Sequence, residues 1–457
     1  MRKLIAIAPL VLASALAAPA ATPAAERESP SEFAPGQVLV RFKGGGERLM
    51  KLPEPVEVAD ATEALEDNPR VDYALPNYLA RASAAPNDPG WTGRPGDWRR
   101  AQWNFLPCGS LCGLPAQPFE AKGGINAIGA WETLWQRGLP PGKGARVAVL
   151  DTGIAFRSKK PRFRKSPDFK RKQFARGLDA VKAGSKKAKK MKWASLPLDR
   201  DGHGTHVAGT IAEQINNGRG LTGLAPRAKI IPVRVLDSQG VGTARDIARG
   251  IRFASRKKAR VINMSFEFSL SVRSCAKIRS VCKAIKKAAK RGALIVSAAG
   301  NSNGEPLAFP AAAPRVIGVG RTTKDACLAA ESRTGPGLDL VAPGGGLPLS
   351  PSCGSDDAVF GQGAPIFQLT FAGRGFRRFG YPGFYEGTSM AAAHVSGAAA
   401  MVISSGVLGR KPRPAAVECQ LRVTSRRTEL GQPYDPRFFG SGLLDAAAAV
   451  RTRAAGC

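Results

Sequence analysis

The sequence predicts an α/β fold: three layers, with a mostly parallel β-sheet flanked by helices, preceded by a small α+β unit. Two observations lead there. From Ala145 onward, apolar runs of four to seven residues alternate with helical stretches. Strands that are apolar on both faces belong to a parallel sheet covered on both sides. Before Ala85 the chain instead holds a short alternating strand, a short helix and a second strand, a unit of its own.

The elements follow in order. Arg2 and Lys3 precede an apolar stretch from Leu4 to Ala18, shorter than the roughly 20 residues a membrane span needs. Ala15-Leu16-Ala17 follows as a cleavage site, with Ala18-Pro19-Ala20 as a competitor, so residues 1–20 are expected to be a secretory signal peptide. Gln37–Phe42 alternates as a strand, Ala61–Glu66 reads as a helix and Val71–Ala80 is strand-like. A stretch rich in Gly, Pro and Trp, from about Ala84 to Gly124, reads as a linker. Strands are then expected at Val147–Leu150, Ile230–Val235, Val261–Phe266, Leu294–Ser297 and Val316–Val319. Helices are expected at His206–Gln214, Ala244–Ala254, Ala276–Ala289, Ser389–Ile403, Pro414–Val423 and Gly442–Val450.

Composition narrows the class. With 43% hydrophobic and 23% charged residues over 457 positions, the chain is neither an integral membrane protein nor wholly disordered. A net charge of +33 makes anionic polymers or surfaces natural partners. Eight cysteines in an exported chain point to disulfides. Cys108 with Cys112 and Cys275 with Cys282 are the local candidates, and the full connectivity stays open.

In open α/β sheets functional residues sit in loops at the carboxyl ends of strands. Three such loops carry reactive side chains: Asp151 in V-A-V-L-D-T-G, His203 in D-G-H-G-T-H-V-A-G and Ser389 in E-G-T-S-M-A-A-A-H. They supply an orienting carboxylate, a base and a nucleophile, because a serine hydroxyl attacks well only when an imidazole takes its proton. A serine at a helix N-terminus also offers free backbone N–H groups to an oxyanion. Asn301, in V-S-A-A-G-N, adds a side-chain donor. Taken singly, an aspartate ending a strand is a turn residue and a serine before a helix is an N-cap; their joint occurrence is what points to catalysis. His206 and His394 are assigned to structure, since no third metal ligand is spaced with either.

V-L-D-T-G, H-G-T-H-V-A-G, A-A-G-N and G-T-S-M-A, in that order, resemble the subtilisin-type serine peptidases over roughly residues 123 to 450. The resemblance implies Asp151 as orienting acid, His203 as general base, Ser389 as nucleophile and Asn301 as oxyanion donor with the Ser389 N–H. It implies a propeptide, residues 26–85, whose P-G-Q-V-L-V-R-F and A-L-E-D-N-P-R-V-D-Y-A-L-P-N-Y ends are similar to the family's and whose middle is shortened. Residues 86–124 would then be an N-terminal extension and 125–457 the catalytic domain. Gly240, Val241 and Gly242 match one edge of a substrate cleft, and Ser265, Phe266 and Glu267 the other. Glu267 and Phe268 replace the glycines usual in that pocket, narrowing or acidifying it, and Ala393 replaces a usual proline. Asp88, Asp168 and Asn217 match contexts that hold structural calcium in some members, and hard oxygen ligands suit that ion. No cofactor is expected for catalysis.

Residues 157–192 hold sixteen Lys or Arg against Asp168 and Asp179, a solvated face or an attachment site for anionic polymers or a cell surface. The expected protein is a monomeric, secreted serine endopeptidase made as a preproenzyme. It acts on protein or peptide substrates and binds its own propeptide, with no specific nucleic-acid partner. A binding protein on an inactive peptidase scaffold has no need of all four site residues. An esterase is the nearer enzymatic rival.

Overall fold

A computed structural model describes residues 33–78, 86–112, 116–181, 195–353 and 363–457. The expected signal peptide, and Lys182 to Lys192 of the basic stretch, lie outside the described residues. The chain divides into two compact units, residues 1–83 and 84–457.

In the first unit, β1 (Phe33–Phe42), β2 (Glu47–Lys51) and β3 (Val71–Tyr78) form an antiparallel sheet in the order β2-β1-β3, with α1 (Val58–Glu66) packed against it. Its small core is Val38, Val40, Val58, Val71 and Ala74. Sequence reading found three of the four elements. Strand β2 escaped because Glu47-Arg48-Leu49-Met50-Lys51 is almost entirely exposed and so carries no apolar alternation to detect.

The second unit runs α2 (Trp98–Ala101), α3 (Ala127–Gln136), β4 (Arg146–Asp151), β5 (Leu178–Asp179), α4 (His203–Ala212), β6 (Lys229–Arg234), α5 (Ala244–Arg256) and β7 (Val261–Met264). It continues with α6 (Arg279–Lys290), β8 (Leu294–Ala298), β9 (Ile317–Thr322), β10 (Leu338–Pro343) and a small hairpin of β11 (Thr370–Phe371) and β12 (Phe379–Gly380). The last helices are α7 (Thr388–Ser405), α8 (Pro414–Val423), α9 (Pro436–Phe439) and α10 (Ala446–Arg451). Seven strands make a parallel sheet in the order β10-β9-β8-β7-β4-β6-β5.

Both faces of that sheet are buried, which is why its strands read as unbroken apolar runs. In β4, Val147 and Val149 enter the core shared with α3, α4, α7 and α10, while Ala148 and Leu150 enter the core under α5 and α6. The two-residue period of a strand sends alternate side chains to opposite layers. Helix α7 crosses the first layer with nearly every residue from Thr388 to Val402 buried and ends at Gly406 in the left-handed conformation (φ 74°).

The stretch read as a linker contributes core instead. Trp98 and Phe105 meet Trp131 edge-on at 5.7 and 5.8 Å, and the Trp131 indole donates to the Leu224 carbonyl at 2.9 Å. Glycines and prolines there make turns between anchored aromatics. Cys108–Cys112 and Cys275–Cys282 are bonded, as are Cys327–Cys353 and Cys419–Cys457. Among the described residues no helix is long and apolar enough to cross a membrane.

Candidate active site

Asp151 is the last residue of β4 and is fully buried. Its Oδ1 accepts from the Thr152 N–H and faces His203 Nδ1, both at 2.7 Å. His203 is the first residue of α4, three residues earlier than the sequence pattern placed the helix start. Helix α4 can begin so close to β4 because residue 204 is glycine: a Cβ there would lie 2.1 Å from the Gly153 carbonyl oxygen.

The loop between them is organised by a residue that sequence reading passed over. Asp199, buried, accepts through Oδ1 from Thr152 Oγ1, Asp201 N and Gly202 N, and through Oδ2 from Thr205 N and Oγ1. Thr152 Oγ1 in turn accepts from Gly204 N at 3.0 Å. The available signal was a second aspartate four residues before the histidine in L-D-R-D-G-H.

The imidazole of His203 keeps 23% of its surface exposed. Burial pulls its pKa down, but the charge and hydrogen bond of Asp151 outweigh that, leaving it above its ordinary value. With Nδ1 turned to the carboxylate, Nε2 is the nitrogen left for a reacting group.

Ser389 lies in the first turn of α7, where a helix leaves backbone N–H groups without acceptors. Its hydroxyl donates to the Ser265 carbonyl at 3.2 Å, rather than to His203, and its carbonyl accepts from Ser265 Oγ at 2.8 Å. Asn263 Nδ2 donates to Ser265 Oγ, and Ser396 Oγ donates to Asn263 Oδ1. This buried chain fastens α7 to the end of β7. Strand β7 stops at Met264, so Ser265 and Phe266 stand in the loop beyond it.

Asn301 follows β8, and its Oδ1 accepts from both the N–H and the hydroxyl of Thr388, at 2.8 and 3.1 Å. A backbone N–H only donates, so the amide must turn its oxygen to Thr388 and its Nδ2 away. The four motifs are thus joined in two pairs, Asp151 with His203 and Asn301 with the Thr388–Ser389 turn.

Glu267 and Phe268 part company. Phe268 packs with Phe266 against the core under α5 and α6. The Glu267 carboxylate reaches the Gly300–Asn301 segment: Oε1 accepts from Asn301 N at 3.2 Å, and Oε2 lies 2.6 Å from where a Cβ on Gly300 would stand. No ion pair joins Glu267 to a cation among the described residues. Gly240, Val241 and Gly242 lie in the loop after β6, and the first residues of that loop bond the Asp151 carbonyl through the Val235 and Leu236 N–H groups. The Val241 N–H donates to Asp237 Oδ1 and its carbonyl accepts from Asp237 N. The peptide groups of Gly240 and Gly242 carry no such bond among the described residues.

Asp88, Asp168 and Asn217 also come together. Asp88 accepts from the Asn216 and Asn217 N–H groups, and Asn217 Nδ2 donates to Asp168 Oδ1 at 2.6 Å. Burial drives Asp168 and the neighbouring Glu213, which sequence reading missed, well above the carboxylate range. Glu213 Oε1 and Oε2 and Asn217 Oδ1 are buried without a partner. The Lys165 ammonium, bonded to the Ser166 and Phe169 carbonyls, is a cation that acts on Asp168, and the unpartnered oxygens are of the hard type that suits calcium. Among the described residues, however, no cluster of three or more His, Cys, Asp or Glu is arranged to hold a metal ion.

Residues 142–442 match the subtilase family. The chain is 33% identical to Subtilisin Savinase of Lederbergia lenta over 315 residues, covering 69% of this chain and 93% of that protein. It is 32% identical to the Extracellular basic protease of Dichelobacter nodosus, covering 90% of this chain and 64% of that one. A solved protease structure from Pseudoalteromonas arctica PAMC 21717 superposes with a TM-score of 0.60 at 29% identity, covering 80% of this chain and 98% of its own.

His206 and His394 are fully buried, and burial pushes them down to about 3 and about 4. His206 Nε2 donates to the Ile366 carbonyl, and His394 Nδ1 donates to Met390 O while its Nε2 accepts from Asn104. Each is therefore neutral when folded but protonates near 6.5 when unfolded. Stability is present above about pH 6.5 and is lost as pH falls toward those lower values, by ~1.4 kcal/mol per pH unit for each histidine. Urea melts between neutral pH and pH ~4.5 check this. A folded-state NMR titration of either ring near its ordinary value would contradict it.

Proposed function

The chain belongs to the subtilase family and is a serine endopeptidase, and from that premise we propose that Asp151, His203, Ser389 and Asn301 perform its chemistry. The observation that carries the reading is the 2.7 Å contact of His203 Nδ1 with a buried Asp151, which fixes the tautomer a general base needs. Ser389 Oγ turns from the Ser265 carbonyl to His203 Nε2, gives up its proton there and bonds the substrate carbonyl carbon. The oxyanion formed is held by Asn301 Nδ2 and the Ser389 N–H. His203 then passes the proton to the leaving amine as the C–N bond breaks. Water, activated by the same imidazole, releases the acyl group and restores the serine. Catalysis in this family needs no cofactor.

Residues 1–20 act as an export signal in this reading, and the four disulfides suit an oxidising compartment. Residues 26–85 are a propeptide that binds the enzyme, 86–124 an extension of the mature chain and 125–457 the catalytic domain, working as a monomer. Gly240 and Gly242 pair with an extended substrate through their free peptide groups. Calcium, where bound, is held by the oxygens of Asp88, Asp168 and Asn217.

A fluorophosphonate probe tests the nucleophile: the expected label is on Ser389, and Ser389→Ala is expected to remain unlabelled and to lose casein hydrolysis. Labelling of another serine in the parent would move the nucleophile. Chelation is expected to lower the Tm, because an ion bound only to the folded state stabilises it by mass action; superimposable melts in calcium and chelator would remove the ion from the proposal. Finally, the unpaired Glu267 carboxylate beside Asn301 favours lysine or arginine as the residue whose carbonyl is attacked. Across a panel of peptides varied at that residue, Glu267→Gln is expected to reduce kcat/KM about tenfold for basic residues and little for alanine. Equal losses across the panel would assign Glu267 to positioning Asn301 alone.

A further inference from the structure

Helices α5 and α6 lie side by side on one face of the parallel sheet. Each presents a stripe of cations to solvent. On α5 these are Arg245, Arg249, Arg252 and Arg256, at i, i+4, i+7 and i+11; on α6 they are Arg279, Lys283, Lys286, Lys287 and Lys290. That spacing keeps each stripe on a single helix face. Opposite sides of both helices supply the apolar core, through Ile247, Ile251, Val281 and Ile285.

Local structure accounts for Arg256, Lys287 and Lys290, which stand in last turns, and not for the rest. The helix dipole welcomes cations in the last turn and disfavours them in the first, yet Arg245 and Arg279 stand in first turns and Arg249 and Lys283 directly follow. Among the described residues no ion pair joins any of the nine to a carboxylate. From Ala244 to Arg291 the acids are Asp246 and Glu267. The first is bonded to Thr243 at its own N-cap and the second to Asn301. Unpaired like charges this close repel and oppose the compact state.

The two stripes lead to a cavity of about 560 Å³ at the C-terminal ends of the helices, whose lining includes Arg256, Lys258, Arg260 and Arg291. Arg260 Nη2 bonds the Pro412 carbonyl, bringing the exposed Arg410, Lys411 and Arg413 to the same edge. Two helices about 10 Å apart and roughly 18 Å long make a two-dimensional array rather than a groove. The stripes themselves include no aromatic ring on which a nucleic-acid base would stack.

We propose that the α5–α6 face docks the protein on an anionic lipid surface, with the cavity at its end receiving a phosphate-bearing headgroup. Charge attraction alone holds it, since the face offers cations and no apolar wedge, so binding is reversible and salt-sensitive. The proposal stands apart from the peptidase reading and from the basic stretch at residues 157–192, and it predicts attachment with the catalytic residues untouched.

The experiment is co-sedimentation of the full chain with phosphatidylcholine vesicles containing one third phosphatidylglycerol, and with phosphatidylcholine alone. Two charge-matched variants are compared. One carries Arg245→Gln, Arg249→Gln, Lys283→Gln and Lys287→Gln; the other carries Arg157→Gln, Lys160→Gln, Arg164→Gln and Arg171→Gln. The parent is expected to bind the anionic vesicles alone. The helix variant is expected to lose at least a hundredfold in partitioning, from roughly fivefold per cation, while cleaving a small neutral peptide within about twofold of the parent. The second variant is expected to lose far less. Equal losses in the two variants would reduce the effect to net charge and overturn the proposal. So would parent chain that binds soluble heparin but not the vesicles.

Discussion

The site depends on one buried carboxylate. Asp199 accepts five hydrogen bonds from Thr152, Asp201, Gly202 and Thr205, and thereby ties the loop leaving β4 to the first turn of α4. Burial leaves its pKa above the ordinary value, against the opposing pull of the bonds from Thr205, Asp201 and Thr152. Without that knot the end of β4 and the start of α4 would be joined only by an unconstrained loop, and the 2.7 Å contact between Asp151 and His203 would cost the entropy of ordering it. Gly204 completes the approach by removing the side chain that would strike Gly153.

A second fastening works from the other side. Ser396, Asn263, Ser265 and Ser389 form a buried polar chain from the middle of α7 to the end of β7. Thr388 adds a link to Asn301 beyond β8. Ser389, Asn301 and Ser265 are therefore held by satisfied hydrogen bonds, which rigidify their surroundings. Because β4, β7 and β8 are neighbours in a parallel sheet, their carboxyl ends open on one side and the loops converge without long excursions.

A set of acids is taken inside. Asp88, Asp151, Asp168, Asp199 and Glu213 are all buried, where they bond backbone and side-chain donors or face one another. The chain has only 35 acids to set against 68 lysines and arginines, and each acid taken inside leaves another surface cation without a partner. The stripes on α5 and α6 are the ordered part of that excess.

Much was legible in the sequence because its cause is local. Apolar runs buried on two faces announced the parallel sheet, and D-T-G, H-G-T-H, A-A-G-N and G-T-S-M marked candidate site residues at strand ends and helix starts. The cysteine pairs at 108/112 and 275/282 were close enough to suggest themselves. What escaped depends on groups distant in sequence. The Gly/Pro/Trp stretch looked like a linker because nothing in it reveals that Trp98 and Phe105 will meet Trp131. The role of Asp199, the direction of the Asn301 amide and the reach of Glu267 to Gly300 each rest on partners supplied by other loops. Either cationic stripe can be counted along its own helix, but that the two lie side by side follows from the sheet order. Periodicity and residue chemistry are properties of a segment and survive in the sequence; hydrogen-bond partners and shared surfaces are properties of pairs of segments, and only packing chooses the pairs.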